Sequence, residues 1–372
     1  MKIGFEAKRV YHNTTGLGNY SRDLVRGLAK YYPQNQYFLY NPKKRAVSLF
    51  NTTSLAIVEK LPSSKFYQKF KNYWRQRGVV NDIIKDKIEI FHGLSGELPS
   101  GLKKRGIKSV VTIHDLIFIR YPNLYSFFDR KIHFIKFKKA VKQADVIIAI
   151  SEQTKRDIID FLKVDADKIK VIYQSCHNAF KIEYSQEIKE NIRVKYKLPN
   201  IFILNVGTLE ERKNALSIVK AVSDIDTKLV LIGRETNYSE SIKKYITAHN
   251  IADKIIFLKN IPLEDLAIIY QLATVFVYPS IFEGFGIPII EAIYSKTPVI
   301  TTKNGVFPEA GGPYSFYVNP KNTDELKNSI EQLLADENLR KSISEKGYAF
   351  AHKFNERLIS QQINNLYKSL IQ

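Results

Sequence analysis

The chain has 372 residues, with 57 Lys+Arg against 37 Asp+Glu for a net charge of +20, a single cysteine and 44% hydrophobic residues. That length and apolar share suit two folded domains and exclude intrinsic disorder, while the lone Cys176 excludes an internal disulfide, argues against a cysteine-based metal site and fits a reducing cytoplasm. The N-terminal MKIGFEAKRV lacks the apolar core of a signal peptide and no apolar run approaches the ~20 residues that span a bilayer, so a cytoplasmic protein is expected, or one peripheral on the inner face of the cell membrane.

In chain order, the run Ile3–Phe5 reads as a strand and Tyr20–Lys30 as a helix, with Gly16 and Gly18 between them. Glycines at a strand-to-helix junction mark either a plain turn or a place where backbone approaches a phosphate. Lys65–Arg77 (KFYQKFKNYWRQR) interleaves cations with Phe66, Tyr67, Phe70, Tyr73 and Trp74, and Arg130–Lys139 (RKIHFIKFKK) repeats the mixture. Such segments suit an anionic membrane surface, a solvated helix whose rings belong to the core, or nucleic acid. The charge is lopsided: residues 1–180 hold 33 Lys+Arg and 15 Asp+Glu, net +18, whereas 181–372 hold 24 and 22, net +2.

His92 follows an apolar run and His114 ends the strand-like Val110–Ile113, followed by Asp115; each imidazole is either structural or emerges at a strand's carboxyl end, beside a ligand. Phe127–Gln143 reads as a helix and Val146–Ile150 as a strand. Ser151 and Thr154 then open a helix to Leu162, Ser151 as a credible N-cap. After the strand Val171–Tyr173, the polar stretch 178–200 reads as a domain boundary. Further strands follow at Ile201–Val206, Lys228–Ile232, Ile255–Leu258, Val275–Tyr278 and Val299–Thr301, and strands alternating with helices argue for parallel sheets. Arg212 and Lys213, after Gly207, are either a surface pair or two fixed cations able to neutralise a diphosphate.

The most informative stretch is VFVYPSIFEGFGIPIIEAIYSKTPVIT, Val275–Thr301. Gly284 and Gly286 punctuate a loop, Pro288 suits a first helical turn, and Glu283 and Glu291 lie eight residues apart across the helix start. Free N–H groups there favour a phosphate, and the two glutamates can accept hydrogen bonds from hydroxyls of a bound sugar. Paired carboxylates also serve glycosidases as general acid and base, a reading nothing else supports.

This segment resembles the E-x7-E signature of family 4 of the glycosyltransferases, retaining enzymes that include many mannosyl- and glucosyltransferases. TTGLGNYSRDLVRGLA, VTIHDL, AISEQTKRDI, FILNVGTLEERKN and LKNIPLEDLAIIYQLA resemble further family landmarks in the same order, so the resemblance covers essentially the whole chain. It implies an α/β protein of GT-B architecture, two doubly wound Rossmann-like domains facing a central cleft. The expected divisions are an acceptor-side domain over 1–180, a donor-side domain over 181–352, and a helix over 353–372 crossing back to the first.

By that resemblance Glu291 holds the nucleotide's ribose, Glu283 the transferred sugar, and the backbone of Phe285, Gly286 and Ile287 the phosphate or sugar. Gly16, Gly18, Gly207, Thr208 and Ile261 complete the donor side; His114 joins Glu283, Arg212 and Lys213 as catalytic; His92, Asp115 and Ser151 shape the acceptor side. Glu309, in GVFPEAGG, resembles a glutamate near the nucleotide. Two departures stand out: Leu17 separates the two loop glycines that many relatives place together, and Thr208 occupies a position where some relatives carry arginine. The resemblance implies neither a metal nor a cofactor. The implied activity is retaining transfer of a hexose, mannose from GDP-mannose first and a UDP-hexose otherwise, to a glycan or lipid-linked glycan in surface polysaccharide synthesis. The rivals are a nucleic-acid-binding protein using the basic half and an inactive nucleotide-sugar-binding module.

Overall fold

A run such as Val275–Tyr278, apolar throughout and rich in β-branched and aromatic side chains, fits a strand covered on both faces, and all four residues are buried. In the computed structural model, which describes residues 1–45, 47–51 and 54–372, such strands form two sheets, each in its own unit.

The first unit comprises Met1–Ser175 and Asn355–Gln372. Its strands are β1 (Lys2–Glu6), β2 (Gln36–Tyr40), β3 (Ile57–Lys60), β4 (Ile90–Gly93), β5 (Lys108–Ile113), β6 (Val146–Ala149) and β7 (Ile169–Val171), in the order β3-β2-β1-β4-β5-β6-β7. Every neighbouring pair is parallel; Ile3, for example, faces Tyr37 on one side and Ile90 on the other. The order reverses at β1, the kind of point where doubly wound sheets hold ligands beyond the carboxyl ends of their strands. Helix Gly16–Tyr31 packs Val25 and Leu28 into one core cluster, and Ile359, Ile363 and Tyr367 of helix Glu356–Ile371 join the same cluster. The chain's last helix is therefore part of the first unit's core.

The second unit, Cys176–Phe354, holds β8 (Phe202–Val206), β9 (Lys228–Ile232), β10 (Ile255–Leu258), β11 (Val275–Tyr278), β12 (Val299–Thr302) and β13 (Phe316–Val318), ordered β10-β9-β8-β11-β12-β13 and again all parallel. The polar stretch 178–200 lies inside this unit. Phe180 is fully buried with its ring edge-on to Tyr270 at 5.4 Å, and Lys195 and Tyr196, at the end of helix Gln186–Tyr196, both reach Asp265, at 2.6 and 2.5 Å.

Candidate active site

The second sheet's carboxyl edge carries those residues named above that follow Val206. β8 ends at Val206 and Gly207 turns the chain at φ +152°. A Cβ on Gly233, just past β9, would stand 1.8 Å from the Gly207 carbonyl oxygen, so these two strand ends meet as closely as they do only because residue 233 is glycine. A single turn, Glu211–Lys213, follows, and Asn214 closes it in the left-handed region at φ +57°. The Asn214 amide donates to the Pro320 and Pro279 carbonyls at 2.7 and 3.3 Å, fixing the turn that presents Arg212 and Lys213.

Both cations converge on Glu283. Arg212 Nη1 lies 2.7 Å from its Oε2 and Lys213 Nζ 2.5 Å from its Oε1. The Ser280 and Tyr278 hydroxyls donate to the same Oε1 at 2.7 and 3.0 Å. Burial by itself would raise the Glu283 pKa, but Lys213 and Arg212 outweigh it and hold the carboxylate at about 2. Burial likewise opposes the Arg212 charge, and Glu283 more than restores it. Burial and then the Glu283 carboxylate push the Tyr278 phenol well up, so it stays a protonated donor. Arg212 is further anchored on Glu210 and the Phe282 carbonyl at 2.6 and 2.5 Å. Lys213 donates also to Tyr278 and lies 5.0 Å above that ring, which leaves one of its three N–H donors for a ligand. Residues expected to act separately, Glu283 on a sugar and Arg212 with Lys213 on phosphate, thus form one ion cluster, in which Glu283 and Glu210 balance the two cations.

Helix Ile287–Tyr294 starts at Gly286, φ +103°, with Pro288 in its first turn, and bears Glu291, whose Oε2 accepts from the Tyr270 hydroxyl at 3.0 Å. Phe285 is buried, edge-on to Phe354 at 5.5 Å, while Thr208, Ile261 and Ile287 are half-buried, Ile261 between β10 and helix Leu263–Leu272. Glu309 sits half-buried on helix Phe307–Gly311. The sequence reading missed Tyr270, Tyr278 and Ser280 as the hydroxyls that hold the two glutamates; the signal was a polar atom at the end of each otherwise apolar run.

In the first unit the glycine loop differs from expectation. The helix begins at Gly16, not near Tyr20, because Asn13 Oδ1 accepts from the Thr15 and Gly18 amides at 2.9 and 3.0 Å and closes the first turn. Gly18 is buried with its N–H already taken; Gly16 is exposed, with nothing within 4 Å of where a Cβ would stand. His114 is buried. Its Nε2–H donates to the Leu94 carbonyl at 2.9 Å and its Nδ1 accepts from Gln174 at 3.1 Å, while burial, partly offset by that carbonyl and reinforced by Arg9, lowers its pKa to about 4. Both nitrogens of a neutral ring are thereby engaged, so His114 shapes its surroundings rather than exchanging protons. Asp115 accepts from the Ile117 amide at 3.1 Å. Ser151 caps helix Glu152–Leu162, accepting from the Thr154 amide at 3.0 Å, and the Thr154 hydroxyl donates to the His114 carbonyl at 3.1 Å.

His92 requires a correction. It is fully buried within β4, bonded to the Tyr367 hydroxyl at 2.6 Å and the Thr112 hydroxyl at 2.8 Å, so it lines no surface and is a core residue tying the last helix to the sheet.

Known families match the two halves in turn: Glycosyltransferase Family 4 over residues 14–175 and Glycosyl transferases group 1 over residues 188–350. The chain belongs to this glycosyltransferase family. It is 26% identical to O-antigen chain mannosyltransferase B of Escherichia coli, with all of both chains covered, and 33% identical to O-antigen chain mannosyltransferase RfbU of Salmonella typhimurium over 60% of each. Among solved structures it is similar to Anabaena HepE in complex with UDP, with a TM-score of 0.78 at 18% identity over 99% of this chain and all of that one. That likeness places the glycosyltransferase in the GT-B fold, two Rossmann-like parallel sheets with their helices.

Among the described residues, no helix of the glycosyltransferase is long and apolar enough to cross a membrane and no cluster of three His, Cys, Asp or Glu could hold a metal ion. Its basic aromatic segments divide in character. Trp74 is fully buried and donates to Asp82 at 2.7 Å, whereas Phe66, Phe70 and Tyr73 are exposed. Helix Phe127–Gln143 turns Phe134 and Phe137 toward the core and leaves Phe128, Ile132 and Ile135 exposed beside Lys131, Lys138 and Lys139.

Proposed function

We propose that this glycosyltransferase moves mannose from GDP-mannose to a glycan or lipid-linked glycan in surface polysaccharide synthesis, with retention at the anomeric carbon and without a metal ion. The observation that carries the reading is the Arg212–Lys213–Glu283 cluster at the carboxyl edge of the second sheet. When the bond from the anomeric carbon to the diphosphate oxygen breaks, negative charge grows on the diphosphate, and the Arg212 and Lys213 cations are fixed in advance to receive it. In a front-face course the departing phosphate oxygen takes the acceptor hydroxyl's proton as the new bond forms on the same side.

Glu283, ionised far below neutrality, can only accept hydrogen bonds, which suits the hydroxyls of the transferred sugar and argues against the general acid a glycosidase needs. Glu291, oriented by Tyr270, accepts from the ribose hydroxyls. The first unit supplies the acceptor side. Mannose and a polysaccharide acceptor are favoured by the likeness to the two O-antigen mannosyltransferases. The exposed apolar and basic face of helix Phe127–Gln143 suits an anionic bilayer, which sedimentation with phosphatidylglycerol vesicles tests; Phe128→Ser with Ile132→Ser should abolish it.

Thermal melts with GDP, UDP, ADP and their sugars test the donor. A rise with GDP and GDP-mannose, lost in Glu291→Ala, is the expected result, and no rise with any nucleotide would overturn the donor reading. EDTA should leave transfer intact; a requirement for added divalent metal would sink the metal-free course.

A further inference from the structure

A cavity of about 1050 Å³ lies where the chain leaves β1, β2 and β3. Six exposed cations line it: Lys8 follows β1, Lys43, Lys44 and Arg45 follow β2, and Lys69 and Lys71 follow β3. Among the described residues, Lys8, Lys43, Lys44, Lys69 and Lys71 form no ion pair, and Arg45 reaches only the Tyr11 carbonyl, at 3.4 Å. Arg75, on the inner wall, takes up the nearest carboxylates, Glu6 at 2.8 Å and Glu97 at 2.7 Å. The cations crowd one another as well: burial, and next Arg75, lower the Lys8 pKa.

The loops that carry them are tied together. His12 Nε2 bonds the buried Asn41 Oδ1 at 2.9 Å, and Asn41 Nδ2 donates to Glu59 of β3 at 2.7 Å, so one chain of hydrogen bonds joins the segments that follow β1 and β2 to the third strand. Clustered cations without counter-charges repel one another, and a polyanion relieves that repulsion. The half-exposed rings of Phe70 and Tyr73 line the same space. A bare inorganic ion would leave them, and most of the volume, unused.

We propose that this cavity is the acceptor's anion site, taking the diphosphate of an organic diphosphate with its organic part against Phe70 and Tyr73. The role as acceptor site rests on the transferase reading; the binding chemistry does not. The cavity lies at the same sheet edge as the Gly16 loop and His114, the edge at which a doubly wound sheet receives ligands.

The test is calorimetric titration of the full chain and its Lys44→Gln/Lys69→Gln/Lys71→Gln variant with inorganic pyrophosphate and with farnesyl diphosphate. The three lysines are exposed and unpaired, and an unchanged melting temperature confirms the variant's fold. Farnesyl diphosphate should bind the wild type more tightly than pyrophosphate does, the triple variant should weaken both about tenfold or more, and Phe70→Ala/Tyr73→Ala should weaken farnesyl diphosphate alone. Equal binding by wild type and triple variant would overturn the proposal. So would a variant that keeps farnesyl diphosphate but loses phosphatidylglycerol vesicles or a single-stranded oligonucleotide, since its cations would then serve a bilayer or a nucleic acid. Melting shifts with GDP and UDP should be the same in the variant. If the wild type shows none, the transferase reading fails while the pyrophosphate comparison still decides the cavity.

Discussion

Glu283 joins stability to chemistry, because the carboxylate that would hold the sugar also neutralises Arg212 and Lys213. Glu283→Gln keeps the shape but strands the largely buried Lys213 and leaves Arg212 with Glu210 alone, so it should cost about 3 kcal/mol in denaturant melts and lower kcat/KM by about 100-fold or more. A variant with wild-type stability would show that the cations need no counter-charge. Because Glu283 titrates near 2 in the fold, below the ordinary carboxylate 4.5, its contribution is complete above pH 4.5 and disappears as the pH falls toward 2. The buried histidines respond earlier. Burial, then the neighbouring His114, holds His92 at about 3, and His114 itself is at about 4, both below the ordinary 6.5. The unfolded chain therefore binds protons that the fold refuses, and stability should fall below about pH 6.5, by up to about 1.4 kcal/mol per pH unit for each histidine. Urea melts between pH 7 and pH 4.5 read that slope directly, and His92→Gln should roughly halve it. An unaltered slope would mean that other groups carry the pH dependence.

At the scale of elements, the two kinds of glycine give opposite expectations. Gly233→Ala would place a methyl 1.8 Å from the Gly207 carbonyl, displacing the strand end from which Arg212 and Lys213 follow. It should destabilise the second unit by about 2 kcal/mol and reduce activity at least about tenfold. Gly16→Ala meets nothing within 4 Å at a helix start, so its stability should hold or rise slightly; any fall in activity would then report a phosphate against that backbone. The helix start was misread because two glycines argue for a loop, and only the Asn13 side chain, folded back on the Thr15 and Gly18 amides, overrides them. The runs Lys228–Ile232 and Val275–Tyr278 were legible because strands covered on both faces are apolar almost throughout, and the edge strand Ile255–Leu258 because all four of its residues are apolar. β3 was not, because Ile57–Lys60 is a partly exposed edge strand ending in Glu59 and Lys60. E-x7-E drew notice to Glu283 and Glu291, but no local pattern could announce that Glu283 would pair with cations about seventy residues earlier. That contact is made only when β8 and β11 become neighbours in the sheet.

At the scale of the whole molecule, the first unit is discontinuous, Met1–Ser175 being completed by Asn355–Gln372. Helix Glu356–Ile371 buries Ile359, Ile363 and Tyr367, accepts at Asn364 a hydrogen bond of 3.0 Å from Asn35, and bonds His92 through Tyr367 at 2.6 Å. It packs so closely on helix Gly16–Tyr31 that a Cβ on Gly27 would meet the Ser360 hydroxyl at 2.6 Å. Ending the chain at Phe354 removes three buried apolar side chains worth about 2 kcal/mol each and takes one of its two hydrogen-bond partners from buried His92, a loss comparable with the whole stability of a typical domain. The first sheet should then lose its amide protection, while the second, whose core cluster includes no residue of this helix, should keep its own. Hydrogen exchange on peptides spanning 108–113 and 202–206 separates the two outcomes. Protection lost only in the first set is expected; equal loss in both would show that the helix stabilises more than the unit it is built into.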